Sequence, residues 1–265
     1  MDEINWKEIE AIAIPWIKEA GKMLRNSLLH TIKVESKSNP DDLVTEMDRA
    51  VESFFLNKIE TMFPNHSFLG EEGLGDQVTK ATGTIWILDP IDGTTNFVHQ
   101  QYNFAISLAV FDQGVGKVGI VYNVMAEELF TAVQGHGAYL NGERLQRLTT
   151  VPVNEAILGL NARWLLPQRP YQASLIEIAK SVRGIRSYGS AAIEICYVAC
   201  GRLDGYISLK LSPWDFAAGI VLLEEVGANY TTINGNELAL IEPCSVFVGK
   251  TGFHDEIIAT YFKEG

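Results

Sequence analysis

Ile9, Ala13, Trp16, Ile17, Ala20, Leu24 and Leu28 recur at the spacing of one helix face. Asn5, with Glu8 three residues on, supplies a capping start, and Pro15 inside the run can kink it. Thr45 and Asp48 read as a second capping box. It opens a helix carrying Val51, Phe54, Phe55, Ile59 and Met62 that stops before Phe63-Pro64-Asn65. Short apolar runs at Ser67–Gly70 and at 85–88 each end in acids and predict strands. Runs at 104–111, 118–124 and Glu128–Val133, separated by Gln113-Gly114 and by residues 123–127, predict an antiparallel meander. Gly135, Gly137 and Asn141-Gly142 punctuate its end.

After about residue 150 the pattern changes. Strands are expected at 157–161, 185–188, 206–209, 229–233 and 246–249. Helices are expected at 172–182, 190–199, 212–226 and 253–262. Helices and a meander followed by alternating strand and helix predict a layered α/β fold. Residues 1–150 form an N-terminal α+β part and 151–265 a C-terminal α/β part, with the boundary near 145–155. No long linker marks that boundary.

The chain has 265 residues, 47% of them hydrophobic and 20% charged, enough apolar side chain to order a core and exclude disorder as the main state. The longest apolar stretches, 104–111 and 220–223, fall far short of the ~20 residues that span a bilayer, so no membrane partner is expected. Met1-Asp2-Glu3-Ile4-Asn5 has neither the basic nor the apolar region of a signal peptide. Cys196, Cys200 and Cys244 make neither a disulfide framework nor a zinc site, and the expectation is a reduced cytoplasmic protein. A net charge of −12 argues against nucleic acid as a partner. An acidic chain that handles an anionic substrate must first cancel its own field, and bound divalent cations do that.

The densest chemistry lies at Asp89-Pro90-Ile91-Asp92-Gly93-Thr94-Thr95-Asn96, after the strand around Trp86. Two aspartates, a proline that cannot donate a ladder hydrogen bond, a glycine and two hydroxyls make a rigid corner at a strand end. A helix beginning at Gly93 or Thr94 would offer free N–H groups to an anion. Hard oxygen ligands beside a phosphate cradle point to Mg²⁺ and a phosphate ester. The alternative is a turn in which Asp89 and Asp92 only cap backbone donors. Glu71-Glu72 ends the preceding strand with side chains to opposite sides, one toward a metal and one outward, or lies in an exposed loop. Ser212-Pro213-Trp214-Asp215 is a strong helix start whose aspartate completes a cap or reaches a neighbouring site. Asp41-Asp42 is a solvated turn after Pro40, or Asp42 orients a hydroxyl or water. His30, His66, His99, His136 and His254 show no ligand spacing.

Taken in order, Gly70-Glu71-Glu72, Asp89-Pro-Ile-Asp92-Gly-Thr-Thr and Trp214-Asp215 resemble the inositol monophosphatase family of Mg²⁺-dependent, lithium-sensitive phosphatases. Residues 37–45, 135–142 and 186–192 agree, and the resemblance runs from about residue 6 to the C-terminus. It implies an α-β-α-β-α sandwich of the inositol monophosphatase and fructose bisphosphatase type, a homodimer, and two or three Mg²⁺ per subunit. It implies metal ligation by Glu71, Asp89, the Ile91 carbonyl, Asp92 and Asp215, with Glu72 and Lys37 behind them. It implies that Asp42 and Thr94 orient or deprotonate the attacking water. Gly93, Thr94 and Thr95 would hold the phosphate, and Asp92, Ser190 and Ala191 would line the sugar pocket.

One departure bears on the substrate, a small phosphorylated metabolite. Ser208 stands where the family's typical inositol-binding glutamate is expected, and Lys210 adds a cation near it. Inositol monophosphate leads. An NADP(H) 2′-phosphatase, a fructose-1,6-bisphosphatase or a 3′(2′),5′-bisphosphate nucleotidase are the alternatives on the same fold. A haloacid-dehalogenase-type phosphatase carries D-x-D-G-T, whereas Asp89-x-x-Asp92 is one residue longer. A regulatory binding protein that keeps the fold is the non-enzyme alternative.

Overall fold

The computed structural model describes residues 5–36, 43–75 and 78–262. Helix α1 (Trp6–Ser27) is capped by the Asn5 side chain, which accepts the Glu8 N–H, and Pro15 sits inside it without ending it. A short antiparallel pair, β1 (Val34–Ser36) and β2 (Leu43–Thr45), leads into α2 (Glu46–Met62). The predicted capping box is present: Thr45 accepts from the helix while its own N–H donates to Asp48. Then come β3 (Ser67–Gly70), β4 (Thr84–Asp92), α3 (Thr94–His99), β5 (Ala105–Asp112), β6 (Val115–Asn123), β7 (Glu128–Val133), β8 (Gly137–Leu140) and β9 (Glu143–Arg144). The meander expected from three runs therefore extends through two further strands.

The second half begins with β10 (Ile157–Leu160), followed by α4 (Gln172–Ser181), β11 (Gly184–Arg186), α5 (Ala191–Ala199) and β12 (Gly205–Leu211). It continues through α6 (Pro213–Val226), β13 (Ala228–Thr231), β14 (Cys244–Lys250) and α7 (Thr251–Ile257). The last helix was expected to run to 262; instead α7 passes into a π-helical turn at Ile258–Phe262.

Two sheets organise these elements. The seven-stranded sheet has the order β3-β4-β5-β6-β7-β8-β9, with β3 parallel to β4 and every later pair antiparallel. The five-stranded sheet has the order β11-β10-β12-β14-β13, parallel around β10 and antiparallel around β14.

Side-chain alternation distributes the core over three layers. Trp86 and Leu88 of β4, with Ile106, Leu108, Val118 and Ile120, meet Ile9, Ile17, Leu24, Phe55 and Ile59 from α1 and α2. Ile85 and Ile87, on the other face, meet α5 and α6, whose far sides reach Tyr206, Val246 and Val248 of the second sheet. Leu158, Ile207 and Phe247 look outward to Leu175, Ile178, Phe253 and Ile257 of α4 and α7. The result is the expected α-β-α-β-α layering. Strand β4 is buried along its whole length because helices cover both of its faces. Helices α5 and α6 are apolar nearly all round because a sheet lies on each side.

Candidate active site

Strand β4 leaves its regular register against β5 between Asp89 and Asp92: Asp89 opposes Ser107, while Asp92 opposes Ala105. One extra residue on β4 makes a bulge, which bends the strand and re-aims its side chains. Pro90 fits there because it has no N–H to give the ladder. The turn is locked when Asp89 Oδ1 accepts the Ile91 N–H at 3.0 Å. Gly93 follows at φ +91°, and a Cβ there would stand 3.1 Å from the Gly189 carbonyl, so both backbone sign and space call for glycine. Helix α3 starts immediately after, leaving the N–H groups of its first turn, including Thr94 and Thr95, without helical partners.

Asp92 points to α5. Its carboxylate accepts the Ala192 N–H at 2.7 Å, the Ala191 N–H at 3.3 Å and the Ser190 hydroxyl. Asp215 begins α6, where its Oδ2 accepts the Ser212 N–H at 2.8 Å. The two readings of Asp215 are thus compatible: it completes the cap and also faces the bulge. Ser107, opposite Asp89, donates to the Trp214 carbonyl at 3.0 Å and ties the start of α6 to the sheet. One carboxylate oxygen from each of Asp89, Asp92 and Asp215 lies within 4.8 Å of the others.

Asp89 and Asp92 are buried, and burial is the main force that raises the pKa of all three carboxyls. Each also feels the negative charge of Glu71 and of its neighbours. Glu71 is placed by its N–H, which donates to the Leu88 carbonyl at 3.2 Å, and its side chain bonds Asp89. Carboxylates this close disfavour one another's ionised forms unless a cation joins them. The donor set is entirely oxygen and suits a hard divalent ion. The Ile91 carbonyl accepts the Thr94 hydroxyl at 3.0 Å and keeps a second lone pair.

Asp42 and Lys37 lie outside the described residues. The carboxylate that meets Thr94 is Asp48: Thr94 Oγ1 donates to Asp48 Oδ1 at 3.4 Å. Asp48 Oδ2 receives both the Thr45 N–H, at 2.7 Å, and the Thr45 hydroxyl, at 2.6 Å. Asp48 has no exposed surface, and burial lifts its pKa from 3.8 to about 6. The capping role hid this second one. One turn further along α2, Glu52 is equally buried; its carboxylate accepts the Glu72 N–H at 2.7 Å and the Leu74 N–H at 2.8 Å. It therefore holds the backbone just beyond Glu71. Both acids fall on the face that carries Val51, Phe55 and Ile59, an anomaly legible in the spacing itself.

A cavity of about 260 Å³ opens beside the carboxylates, lined by Asp92, Asp215, Ser190, Ala191, Ser208 and Lys210, with Asn161, Trp164, Glu194 and Tyr206. The expected pocket residues meet here. Ser190 spends its hydroxyl on Asp92, and Ser208 Oγ donates to the Lys210 carbonyl at 3.3 Å. Asn161 and Trp164 were not anticipated. Glu194 is buried and accepts the Tyr188 N–H at 2.8 Å; burial raises its pKa from 4.5 to about 7. His99 is exposed at the end of α3.

The Inositol monophosphatase family model matches residues 5–265. The chain belongs to the inositol monophosphatase family. It is 49% identical over 258 residues, 97% of each chain, to the inositol-1-monophosphatase of Bacillus subtilis (strain 168). A structure of SaIMPase-II with inositol monophosphate bound is 39% identical, with a TM-score of 0.86, and the match covers 96% of this chain and 93% of that one. An IMPase/NADP phosphatase complexed with Mg²⁺ and phosphate is 26% identical, with a TM-score of 0.89 over 98% of this chain and 97% of that one. Membership of this family fits an acidic, oxygen-lined site rather than the haloacid-dehalogenase alternative.

Proposed function

We propose that this chain is an Mg²⁺-dependent phosphomonoesterase that hydrolyses inositol monophosphate to inositol and phosphate. The observation that carries the reading is the convergence of Asp89, Asp92 and Asp215 within 4.8 Å, beside the Thr94–Asp48 pair. The whole-chain likeness to an inositol-1-monophosphatase and to a structure holding inositol monophosphate supports the substrate.

Glu71, Asp89, the Ile91 carbonyl, Asp92 and Asp215 would hold two or three Mg²⁺ ions. Bound Mg²⁺ supplies charge neutralisation, a water acidic enough to attack, and stabilisation of the leaving oxygen. The protein's residues do the rest. Thr94 Oγ1 is held between the Ile91 carbonyl and Asp48 Oδ1, where it fixes the orientation of an attacking water. Asp48 Oδ1 would take the proton that arrives at Thr94, as the one carboxylate oxygen beside that hydroxyl among the described residues. The first N–H groups of α3, from Thr94 and Thr95 with Gly93 before them, receive phosphate oxygens. Asp92, aligned by α5, faces the hydroxyls of the leaving inositol along the Ser190–Ala191 wall. Glu72 would stand behind the ligands; Lys37, to which the family likeness gives the same place, lies outside the described residues. Asp42, outside the described residues, remains the family likeness's candidate for orienting that water, beside Asp48.

Lithium inhibition and a homodimer belong to this reading through the family likeness. A cytoplasmic location rests on Cys196, Cys200 and Cys244 being free thiols. The test is phosphate release with and without Mg²⁺ on inositol 1-phosphate, NADP, fructose 1,6-bisphosphate and adenosine 3′,5′-bisphosphate. Mg²⁺-dependent release with inositol 1-phosphate among the good substrates is expected. No release with any divalent metal would favour the binding-protein alternative.

A further inference from the structure

Glu194 is the one acid of α5, and its side chain turns back on the residues that lead into its own helix. Oε1 accepts the N–H of Tyr188 at 2.8 Å and the N–H of Gly189 at 3.2 Å. The Tyr188 ring also meets the Tyr197 ring of α5 edge to face, with centroids 5.1 Å apart. The turn between β11 and α5 is thus tied to α5 by a carboxyl and by a ring. Its other side meets α3, from the first half of the chain. Asn96 is buried there, and its Nδ2 donates to the Tyr188 carbonyl at 2.7 Å and to the Asn103 carbonyl at 2.8 Å. Gly189, at φ +77°, has no room for a Cβ, which would stand 2.9 Å from Asn96 Nδ2. The Gly189 carbonyl in turn closes on Gly93. Contacts therefore run from Glu194 through Tyr188 and Gly189 to Gly93 and Asn96, which bracket Thr94 and Thr95.

The rest of the carboxyl shows that packing is not its purpose. Glu194 is 3% exposed, and among the described residues its Oε2 has no hydrogen-bond partner. A buried polar atom left in that state costs stability, so an apolar side chain would serve the core better. The fold nevertheless leaves space for it: a Cβ on Gly159 of β10 would stand 2.6 Å from Oε2. What the carboxyl contributes is the pair of bonds made by Oε1.

We infer that Glu194 is a positioning residue for the phosphate: through the Tyr188–Gly189 turn and Asn96 it sets the place of the N–H groups of Gly93, Thr94 and Thr95. This rests on the phosphatase reading above, in which those groups receive phosphate oxygens. Glu194 touches no reacting atom. The oxygens held at the start of α3 stay on phosphorus and carry charge before and during the reaction. Displacing their donors therefore weakens substrate and product phosphate alike, and the effect falls mainly on KM.

The test is steady-state kinetics of the full chain with Mg²⁺ and inositol 1-phosphate, with inorganic phosphate as competing product. Glu194→Ala should raise KM and the inhibition constant of phosphate together, each about tenfold, while kcat and the Mg²⁺ concentration for half-activation stay within about threefold. Glu194→Gln keeps an acceptor oxygen at the same reach and should hold both constants within about twofold of the natural chain. Asn96→Ala removes the link from the α3 side. It should reproduce the Glu194→Ala pattern, and combining the two should add little, because both act through one turn. A lower melting temperature in Glu194→Ala with KM and phosphate inhibition unchanged overturns the inference, and so does an equal loss in Glu194→Gln. A loss confined to kcat or to Mg²⁺ half-activation also overturns it, since the effect would then lie at the metal site. If Glu194→Ala does not fold, Asn96→Ala decides: unchanged KM and phosphate inhibition there overturn the inference. Each of these outcomes leaves the phosphatase reading standing. No turnover of inositol 1-phosphate by the natural chain removes that reading, and the inference with it.

Discussion

Thr94 Oγ1 lies 3.4 Å from Asp48 Oδ1, joining the start of α3 to the first turn of α2. The other Asp48 oxygen is saturated by Thr45, so the carboxylate cannot swing away from the hydroxyl. This fixes which carboxylate oxygen faces the Thr94 hydroxyl, and from which side.

Replacing Asp48 with Asn keeps the shape and removes the acceptor. We expect kcat at saturating Mg²⁺ to fall by about 10²–10⁴, the range for loss of a general base, with Mg²⁺ affinity little changed. Thr94→Ala should give a similar loss, and the double variant should be little worse than either single one, because the two groups act as a unit. Full additivity in kcat would contradict the relay.

Glu52 acts at one remove, through the backbone around Glu71. A glutamine side chain in its place offers one acceptor where two N–H groups need one each, so one donor is left unpaired at a cost of about 1–3 kcal/mol. Glu52→Gln should raise the Mg²⁺ concentration for half-activation about tenfold while kcat at saturation stays within about threefold. Gly70→Ala attacks the same contact from the other side, since its Cβ would overlap the Glu52 carboxyl group. Metal titration of both variants checks this. A lower melting temperature with unchanged metal affinity would make Glu52 a packing residue only.

Burial raises Asp48 from 3.8 to about 6 and Glu194 from 4.5 to about 7, and it moves the three clustered aspartates upward as well. The folded chain thus binds these protons more tightly than the unfolded chain. The stability they give is complete below the unfolded values and is lost as pH rises through the folded ones. Metal-free protein should therefore melt at lower temperature as pH is raised from about 5 to about 7.5. Mg²⁺ should offset that trend, since it competes with protons for the same oxygens. Thermal melts in EDTA and in Mg²⁺ check both signs, and a metal-free melting temperature that rises with pH would contradict them.

Much of the architecture was legible because single elements carry strong patterns. The α1 stripe from Ile9 to Leu24, the Thr45 and Ser212 caps and the unbroken apolar run of β4 each have one structural solution. Strands β8 and β9 were not legible, since two short segments between turn glycines carry little periodicity. At the site, the bulge motif announced Asp89, Asp92 and the α3 start on its own. Asp48 was hidden because its capping duty already explained its presence, although acids at 48 and 52 on the apolar face of α2 were the available signal. The juxtaposition of Asp215 with the bulge depends on how α6 packs between two sheets, which local spacing does not encode.

Phosphate release from inositol 1-phosphate, measured across an Mg²⁺ titration for the natural chain and for Asp92→Asn, tests the central claim most directly. Asp92 is both a member of the carboxylate cluster and the group that receives the Ala192 N–H. The account predicts Mg²⁺-dependent turnover in the natural chain, and turnover near background in the variant while its circular dichroism stays native. Full Mg²⁺-dependent activity in Asp92→Asn would contradict a metal centre built on these three aspartates.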